Sequence, residues 1–362
     1  MSADSKPLPP EERVGYAIVG VGKLTAEELL PAFRASKRSR LRAIVTDDRE
    51  KGLEYADAYG LSEDDVFDYD GFDRLATRDD VKGIYIVLPN NLHRDYTERA
   101  ARMGKHVLCE KPLATTVEDA EAMVRACKAA GVRLMTAYRC QYTPQHWAAR
   151  DAVQQGLLGN VGLVESIHAQ LEDDPSVWRL QREMAGGGPL PDIGLYCLNT
   201  VRFVLGEEPE EVFAYQFQPK DDPRFAEVEE RLAWTMRFPS GLLANCTCSY
   251  NAVKAAQLRV YGDKGWLSMD PAFTYEGLEL EFVREDAREQ RIMKEENQFA
   301  LELDHFSQCI ADNAQPFTPG EEGLQDQRIM AAIYRSAESS QPVKLERLEG
   351  RDHFRGTRPE GH

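Results

Sequence analysis

Between residues 14 and 138, short runs that are apolar on both faces alternate with stretches of helical spacing. Val14-Gly15-Tyr16-Ala17-Ile18-Val19-Gly20 has strand length, and the stretch after it sets Leu29, Leu30 and Phe33 on one helical face. Strands are predicted at 41–45, 66–69, 84–88, 106–109 and 133–138, with helices at 50–59, 93–103 and 117–130. Strands buried on both faces and separated by helices of this length predict a parallel sheet covered on both sides. Six of them fit a doubly wound dinucleotide-binding (Rossmann) sheet.

Beyond residue 139 the pattern changes to strands at 161–170, 212–217, 231–238, 242–250, 258–261, 266–269 and 278–283. Hairpin-like turns such as Pro239-Ser240-Gly241 and Gly262-Asp263-Lys264-Gly265 join them, which predicts a large, mostly antiparallel open sheet. Helices at 145–155, 195–205, 297–312 and 323–336 are expected to cover one face. The fold class is therefore α/β, with a Rossmann domain at 14–138 and a substrate-binding and oligomerisation α+β domain at 139–345. The tails, 1–13 and 346–362, read as poorly ordered. Trp234, Tyr250, Trp266 and Tyr275 fall on the expected open face of the second sheet, and an exposed apolar patch of that size predicts a homodimer or homotetramer. The alternative is that the helices already bury them.

Composition narrows the functions. Forty-four Lys and Arg against 61 Asp and Glu give a net charge of −17, which argues against a nucleic-acid partner. No 18-residue apolar run exists, so no membrane span is expected, and the first residues carry no secretory signal. Seven cysteines without a CxxC pair point to a reducing compartment, the cytoplasm. Cys246-Thr247-Cys248 reads as strand alternation rather than a metal pair, the histidines lack ligand spacing, and no metal is expected.

Gly20-Val21-Gly22-Lys23-Leu24-Thr25 lies between the first strand and helix. Its glycines let backbone amides reach a pyrophosphate at the helix start, although Thr25 stands where a third glycine is usual. At the end of the second strand Thr46 occupies the place of the acidic residue that binds the ribose of NAD. Its hydroxyl can donate to a 2′-phosphate that Arg49 or Lys51 neutralises, which favours NADP; Asp47 would repel that phosphate if it turned inward.

Two clusters carry the chemistry. Glu110-Lys111-Pro112 closes the fifth strand, at the edge where such sheets bind ligands, and the proline fits a cis bond. Gly186-Gly187-Gly188-Pro189-Leu190-Pro191-Asp192-Ile193-Gly194-Leu195-Tyr196 allows close backbone approach and sets Asp192 and Tyr196 on one helical face. Together with Pro89-Asn90-Asn91-Leu92-His93, these motifs resemble the glucose-fructose oxidoreductase and inositol dehydrogenase family. Tyr138-Arg139-Cys140-Gln141-Tyr142, Trp178-Arg179-Leu180, Leu205-Gly206-Glu207-Glu208-Pro209, Asn297-Gln298-Phe299 and Pro319-Gly320-Glu321-Glu322-Gly323 resemble its glucose-fructose branch. The likeness runs from about residue 15 to 345.

That resemblance implies oxidation of an aldose at C1 to the aldonolactone by hydride transfer to NADP, with a second sugar reduced to an alditol by the same bound cofactor. It makes Lys111, Asp192 and Tyr196 the catalytic group, with Tyr142 beside them at the substrate. Tyr196 would serve as acid/base, and a neighbouring Lys111 cation would favour its phenolate. Gly20, Gly22, Lys23, Leu24, Thr46, Arg49, Lys51, Leu88, Pro89, Asn90, His93, Glu110, Lys111, Arg139, Trp178 and Arg179 would hold the cofactor. The family's exported glucose-fructose enzyme has a long N-terminal arm over the adenine, whereas only about a dozen residues precede the first strand here. The competing readings are an NADP-dependent aldose 1-dehydrogenase or ketosugar reductase with a dissociable cofactor, a redox-assisted glycosidase, and a non-catalytic nucleotide sensor.

Overall fold

The structure is a computed structural model that describes residues 6–284 and 287–360. Strands β1 (Val14–Val19), β2 (Ser39–Val45), β3 (Val66–Phe67), β4 (Gly83–Ile86), β5 (His106–Glu110) and β6 (Leu134–Ala137) form a parallel sheet in the order β3-β2-β1-β4-β5-β6. This is the dinucleotide-binding order, with its crevice where the strand sequence reverses between β1 and β4. Alternation along β1 sends Ala17 and Val19 to one apolar layer and Tyr16 and Ile18 to the other. Helices α1 (Leu30–Ala35), α2 (Arg49–Ala58), α3 (His93–Arg102) and α4 (Val117–Ala130) connect the strands. The turn before α1, Thr25–Leu29, is π-wound. Pro31 has no amide hydrogen to give to residue 27, and the wider turn absorbs the missing bond.

The second half begins with α5 (Pro144–Gln154) and β7 (Val161–Leu171), followed by α6 (Arg182–Ala185), α7 (Leu195–Leu205) and β8 (Glu211–Phe217). Then come β9 (Arg231–Arg237), β10 (Leu243–Ser249), β11 (Asn251–Gly262), β12 (Gly265–Met269), β13 (Leu280–Arg284) and β14 (Ala287–Arg291). The chain ends through α8 (Gln298–Ala311), α9 (Gly320–Ser339) and β15 (Val343–Lys344). The nine-stranded sheet has the order β14-β13-β12-β11-β7-β10-β9-β8-β15. Its pairs are antiparallel except β7 with β10, which run parallel with Leu163 opposite Leu243. Helices α7 and α9 lie on one face, and α5 packs behind α7.

Two expectations are corrected here. Helix α8 covers the first sheet, not the second: Phe299, Leu303 and Phe306 join Tyr16, Ile18 and Phe33 in one cluster. Trp234 and Tyr250 are buried on the helix-covered face, leaving Trp266 partly exposed and Tyr275 in a loop after β12. The expected alternation of β9 and β10 puts Trp234, Cys246 and Cys248 inward together, whereas Leu243 on β10 and Tyr215 on β8 point outward.

The tails are also ordered where they are described. Pro10–Glu12 form a 3-10 turn, and Leu8 donates its amide to the Lys37 carbonyl at 2.9 Å. At the other end the Arg355 side chain is fully buried and donates to Glu322 at 2.8 Å. Asp352 pairs with Arg150, and Arg358 lies 3.2 Å from Asp151. Glu322 also receives Arg202, which bridges Glu208 and Asp326. The tail thus supplies a cation to a buried acidic cluster, and residues 1–5, 361 and 362 lie outside the described part.

Candidate active site

The loop after β1 is built to hold an anion. Gly20 has φ +97°, and a Cβ there would meet the Val87 carbonyl oxygen at 2.2 Å. Thr25, at the place of the missing third glycine, donates its hydroxyl back to the Gly20 carbonyl at 2.7 Å. A side-chain hydrogen bond therefore closes this turn. A cavity of about 620 Å³ runs from this loop to Tyr196. Gly20, Gly22, Lys23 and Leu24 border it at one end, Leu88, Pro89 and Asn90 flank it, and Glu110 and Lys111 close the β5 edge.

At the far end Lys111, whose peptide bond to Pro112 is cis, donates its ammonium to the Asp192 carbonyl at 2.7 Å and to Asp192 Oδ1 at 3.0 Å. Tyr250 donates to Asp192 Oδ2 at 2.7 Å, and Arg179 Nε lies 3.5 Å from the same oxygen. Burial would raise the Asp192 carboxyl, but the Lys111 and Arg179 cations and the Tyr250 hydroxyl hold it well below the usual carboxylate range. Asp192 therefore stays ionised and fixes the Lys111 ammonium in place.

Tyr196 stands one helical turn on, with the Lys111 ammonium 4.8 Å from its ring centroid. The Arg139 guanidinium is equally close to the ring, and Arg139 Nε donates to the Tyr196 oxygen at 3.2 Å. Burial drives the phenol above its ordinary value, and Arg139 only partly opposes this. The expectation that Lys111 lowers this phenol is corrected, because Lys111 meets the ring and Arg139 meets the oxygen. Glu110 is also pushed up by burial, although its carboxylate accepts from Tyr85 at 2.8 Å.

Trp178, Arg179, Arg139, Asp192 and Tyr196 all border the cavity, and Asn90 both borders it and donates to the Ala185 carbonyl at 2.9 Å. Four residues on the predicted list sit elsewhere. His93 is buried with its ring nitrogens against the carbonyls of Leu88 and Pro112, so it ties the β4 and β5 loops together. Tyr142 is buried against Thr318 at 2.7 Å, behind the cavity wall. Thr46 is buried and its hydroxyl oxygen accepts from the Asp48 amide, while Arg49 is exposed and turns toward Glu63. Lys51 reaches the phosphate loop itself, donating to the Val21 carbonyl at 2.8 Å. Asp47, not Thr46, borders the cavity.

Sequence reasoning missed Tyr250, His168 and Tyr275. Tyr250 was assigned to the open face, because strand alternation gives the face but not which face the helices cover. His168 borders the cavity, donates its Nδ1 hydrogen to the Ile193 carbonyl at 3.2 Å, and burial lowers it to about 4. It is therefore neutral at physiological pH. Nothing in its surrounding strand pattern separates it from a core histidine. Among the described residues no group of three or more His, Cys, Asp or Glu could hold a metal ion. No described helix is long and apolar enough to cross a membrane.

The cavity fits a dinucleotide: the Gly20–Leu24 amides would take the pyrophosphate, Lys51 beside that loop a 2′-phosphate, and Glu110 and Asn90 would meet the nicotinamide half. Comparisons with known proteins agree with the fold. An aldose-aldose oxidoreductase from Caulobacter crescentus, solved with glycerol, superposes with a TM-score of 0.90 at 43% identity, covering 92% of this chain and 100% of that one. The chain is 33% identical over 340 residues to the D-xylose 1-dehydrogenase [NADP(+)] of Haloarcula marismortui, covering 92% of this chain and 93% of that protein. It is 30% identical to the 1,5-anhydro-D-fructose reductase of Ensifer adhaerens, covering 91% and 98%. Residues 14–138 match the model of an oxidoreductase family's NAD-binding Rossmann fold and residues 150–345 that of its C-terminal alpha/beta domain, so the chain belongs to the GFO/IDH/MocA oxidoreductase family.

Proposed function

We propose that this chain is an NADP-containing sugar oxidoreductase that oxidises an aldose at C1 to the aldonolactone and reduces a second sugar to an alditol. The observation that carries the reading is the Lys111–Asp192 pair beside Tyr196, at the end of a cavity that starts on the phosphate loop. Names of similar proteins support the substrate class, two of them acting on aldoses. When bound, NADP accepts or returns a hydride at the nicotinamide.

The chain's own groups handle the proton. In the reducing direction the neutral Tyr196 phenol donates to the carbonyl oxygen of the acceptor sugar, and Arg139 stabilises the phenolate that forms. In the oxidising direction that phenolate takes the proton of the C1 hydroxyl. Lys111, held by ionised Asp192, is placed to hydrogen-bond the same sugar oxygen. Trp178 offers an apolar ring, backed by the Arg179 guanidinium 4.7 Å from its centroid.

Lys51 beside the phosphate loop supports NADP, as does the NADP in the name of the haloarchaeal relative. A second reading, an aldose 1-dehydrogenase that releases its NADP each turnover, is favoured by Asp47. Its carboxylate at the cavity edge repels a 2′-phosphate and speeds its departure. An aldose such as glucose added to the purified protein without cofactor separates the two. The coupled enzyme gives a near-ultraviolet rise of up to one equivalent per chain, reversed by a second sugar. Turnover only after NADP is added selects the dehydrogenase, and silence in both steps overturns both readings. We also propose a homodimer through the open face of the second sheet, and, because the seven thiols are all free and buried, a reducing cytoplasmic setting.

A further inference from the structure

A second cavity, of about 520 Å³, lies between the start of α4, α9 and β15. Its volume is within the usual range of small-ligand sites, ~300–1,000 Å³. Ala185 and Pro191 line both cavities, so the glycine-rich segment before Asp192 is the wall between them. Gly188 in that wall donates its amide to buried Glu229 at 3.1 Å, and Tyr334, which lines the second cavity, donates to Glu229 at 2.8 Å.

The lining has a definite chemistry. Gln327 is buried and lines the cavity; its side-chain oxygen Oε1 is sealed off and unpaired, which leaves the amide nitrogen Nε2 as the end that can meet a ligand. An amide N–H that borders a cavity without a partner is satisfied by an acceptor such as a hydroxyl oxygen. Thr115 adds a second hydroxyl-binding group, and the Tyr334 ring and Met330 offer an apolar surface to C–H groups. Arg335 and Lys344 border the mouth as exposed cations, and among the described residues neither side chain has an ion-pair partner. Arg328 adds a cation already paired with Glu121, and Glu118 and Glu346 on the rim limit the positive excess.

We infer that this cavity is a second binding site for an anionic polyol of sugar-acid type, with its carboxylate on Arg335 and Lys344 and its hydroxyls on Gln327 and Thr115. The lining alone carries the site; naming an aldonate as its natural source rests on the oxidation proposed above, whose lactone product hydrolyses to that acid. The wall shared with the first cavity makes it a place where accumulated product meets the segment that carries Asp192.

Titration calorimetry of the NADP-saturated protein with sodium gluconate tests this. Saturable binding is expected, weakened at least tenfold in R335A/K344A and in Gln327→Leu, with unchanged thermal midpoints and unchanged aldose KM in the double variant. Both replaced cations are exposed, so the fold is spared. Absence of binding overturns the proposal, as does binding indifferent to R335A/K344A, which would place gluconate in the first cavity. Sorbitol binding as tightly as gluconate overturns the anionic part. A chain that fails to oxidise aldoses still gives a readable titration, so the two readings fail separately.

Discussion

Asp192 and Tyr196 lie in the same buried wall but are driven to opposite states: cations keep the carboxyl ionised, while burial keeps the phenol neutral. The difference lies in where the cations sit. Lys111 and Arg179 meet Asp192 oxygens directly, whereas the Tyr196 oxygen has only Arg139 against its desolvation. Tyr196→Phe should therefore lower kcat by about 10²–10⁴-fold, the usual worth of a positioned acid or base. Its NADP affinity, measured by fluorescence titration, should not change. Near-wild-type turnover would remove Tyr196 from proton transfer. At this scale the motif residues were legible in the sequence: Lys111, Asp192, Tyr196, Glu110 and Arg139 converge on one cavity. His93 and Tyr142 belong to the same motifs but are spent on backbone carbonyls and on Thr318. A motif gives neighbourhood, and only packing decides which side of the wall each member faces.

Among the elements, strand periodicity gave both sheets, but three features escaped it. Helix α8 has the amphipathic spacing expected of it, and spacing cannot say which sheet receives its apolar face. Strand β14, Ala-Arg-Glu-Gln-Arg, has no apolar alternation because it is a solvent-facing edge. The segment after β15 looked unstructured because its anchors are charged, and Arg355 is buried only because Glu322 is buried opposite it. Arg355→Ala leaves that carboxylate with less compensation and should cost about 3–5 kcal/mol in urea unfolding. A loss under half a kcal/mol would show that Arg202 alone satisfies Glu322. Helix α2 supplies the other element-level test. Lys51→Ala should weaken NADP by about tenfold or more, the scale of a charge-assisted hydrogen bond, and NAD far less. Equal losses would assign Lys51 to the loop backbone it already touches rather than to a 2′-phosphate.

At the scale of the molecule, the second sheet leaves one face without helices among the described residues. Leu243, Leu163, Tyr261 and Trp266 stand side by side across four of its strands on that face. This apolar row, with Tyr215 farther along the same sheet face and 64% exposed, suits a second copy of the same sheet. Leu243→Arg should shift the mass measured by light scattering from dimer toward monomer while the thermal midpoint of the monomer stays within a few degrees. A wild-type monomer at micromolar concentration would end the sheet-to-sheet model. The net charge of −17 sets the other global condition: an anionic cofactor would enter against the field and would depend on local cations such as Lys23 and Lys51 near the loop.

All seven thiols are free and buried, and burial raises Cys127 and Cys309 to about 12 each. A thiol in that state neither ionises nor meets reagent until the chain opens. The folded protein is accordingly blank toward iodoacetamide, and each sulfur becomes a clock for the opening of its own region. Cys109 and Cys127 time the first sheet, and Cys246 and Cys248 the second. A cysteine introduced on the surface would carry a dye with no competing site.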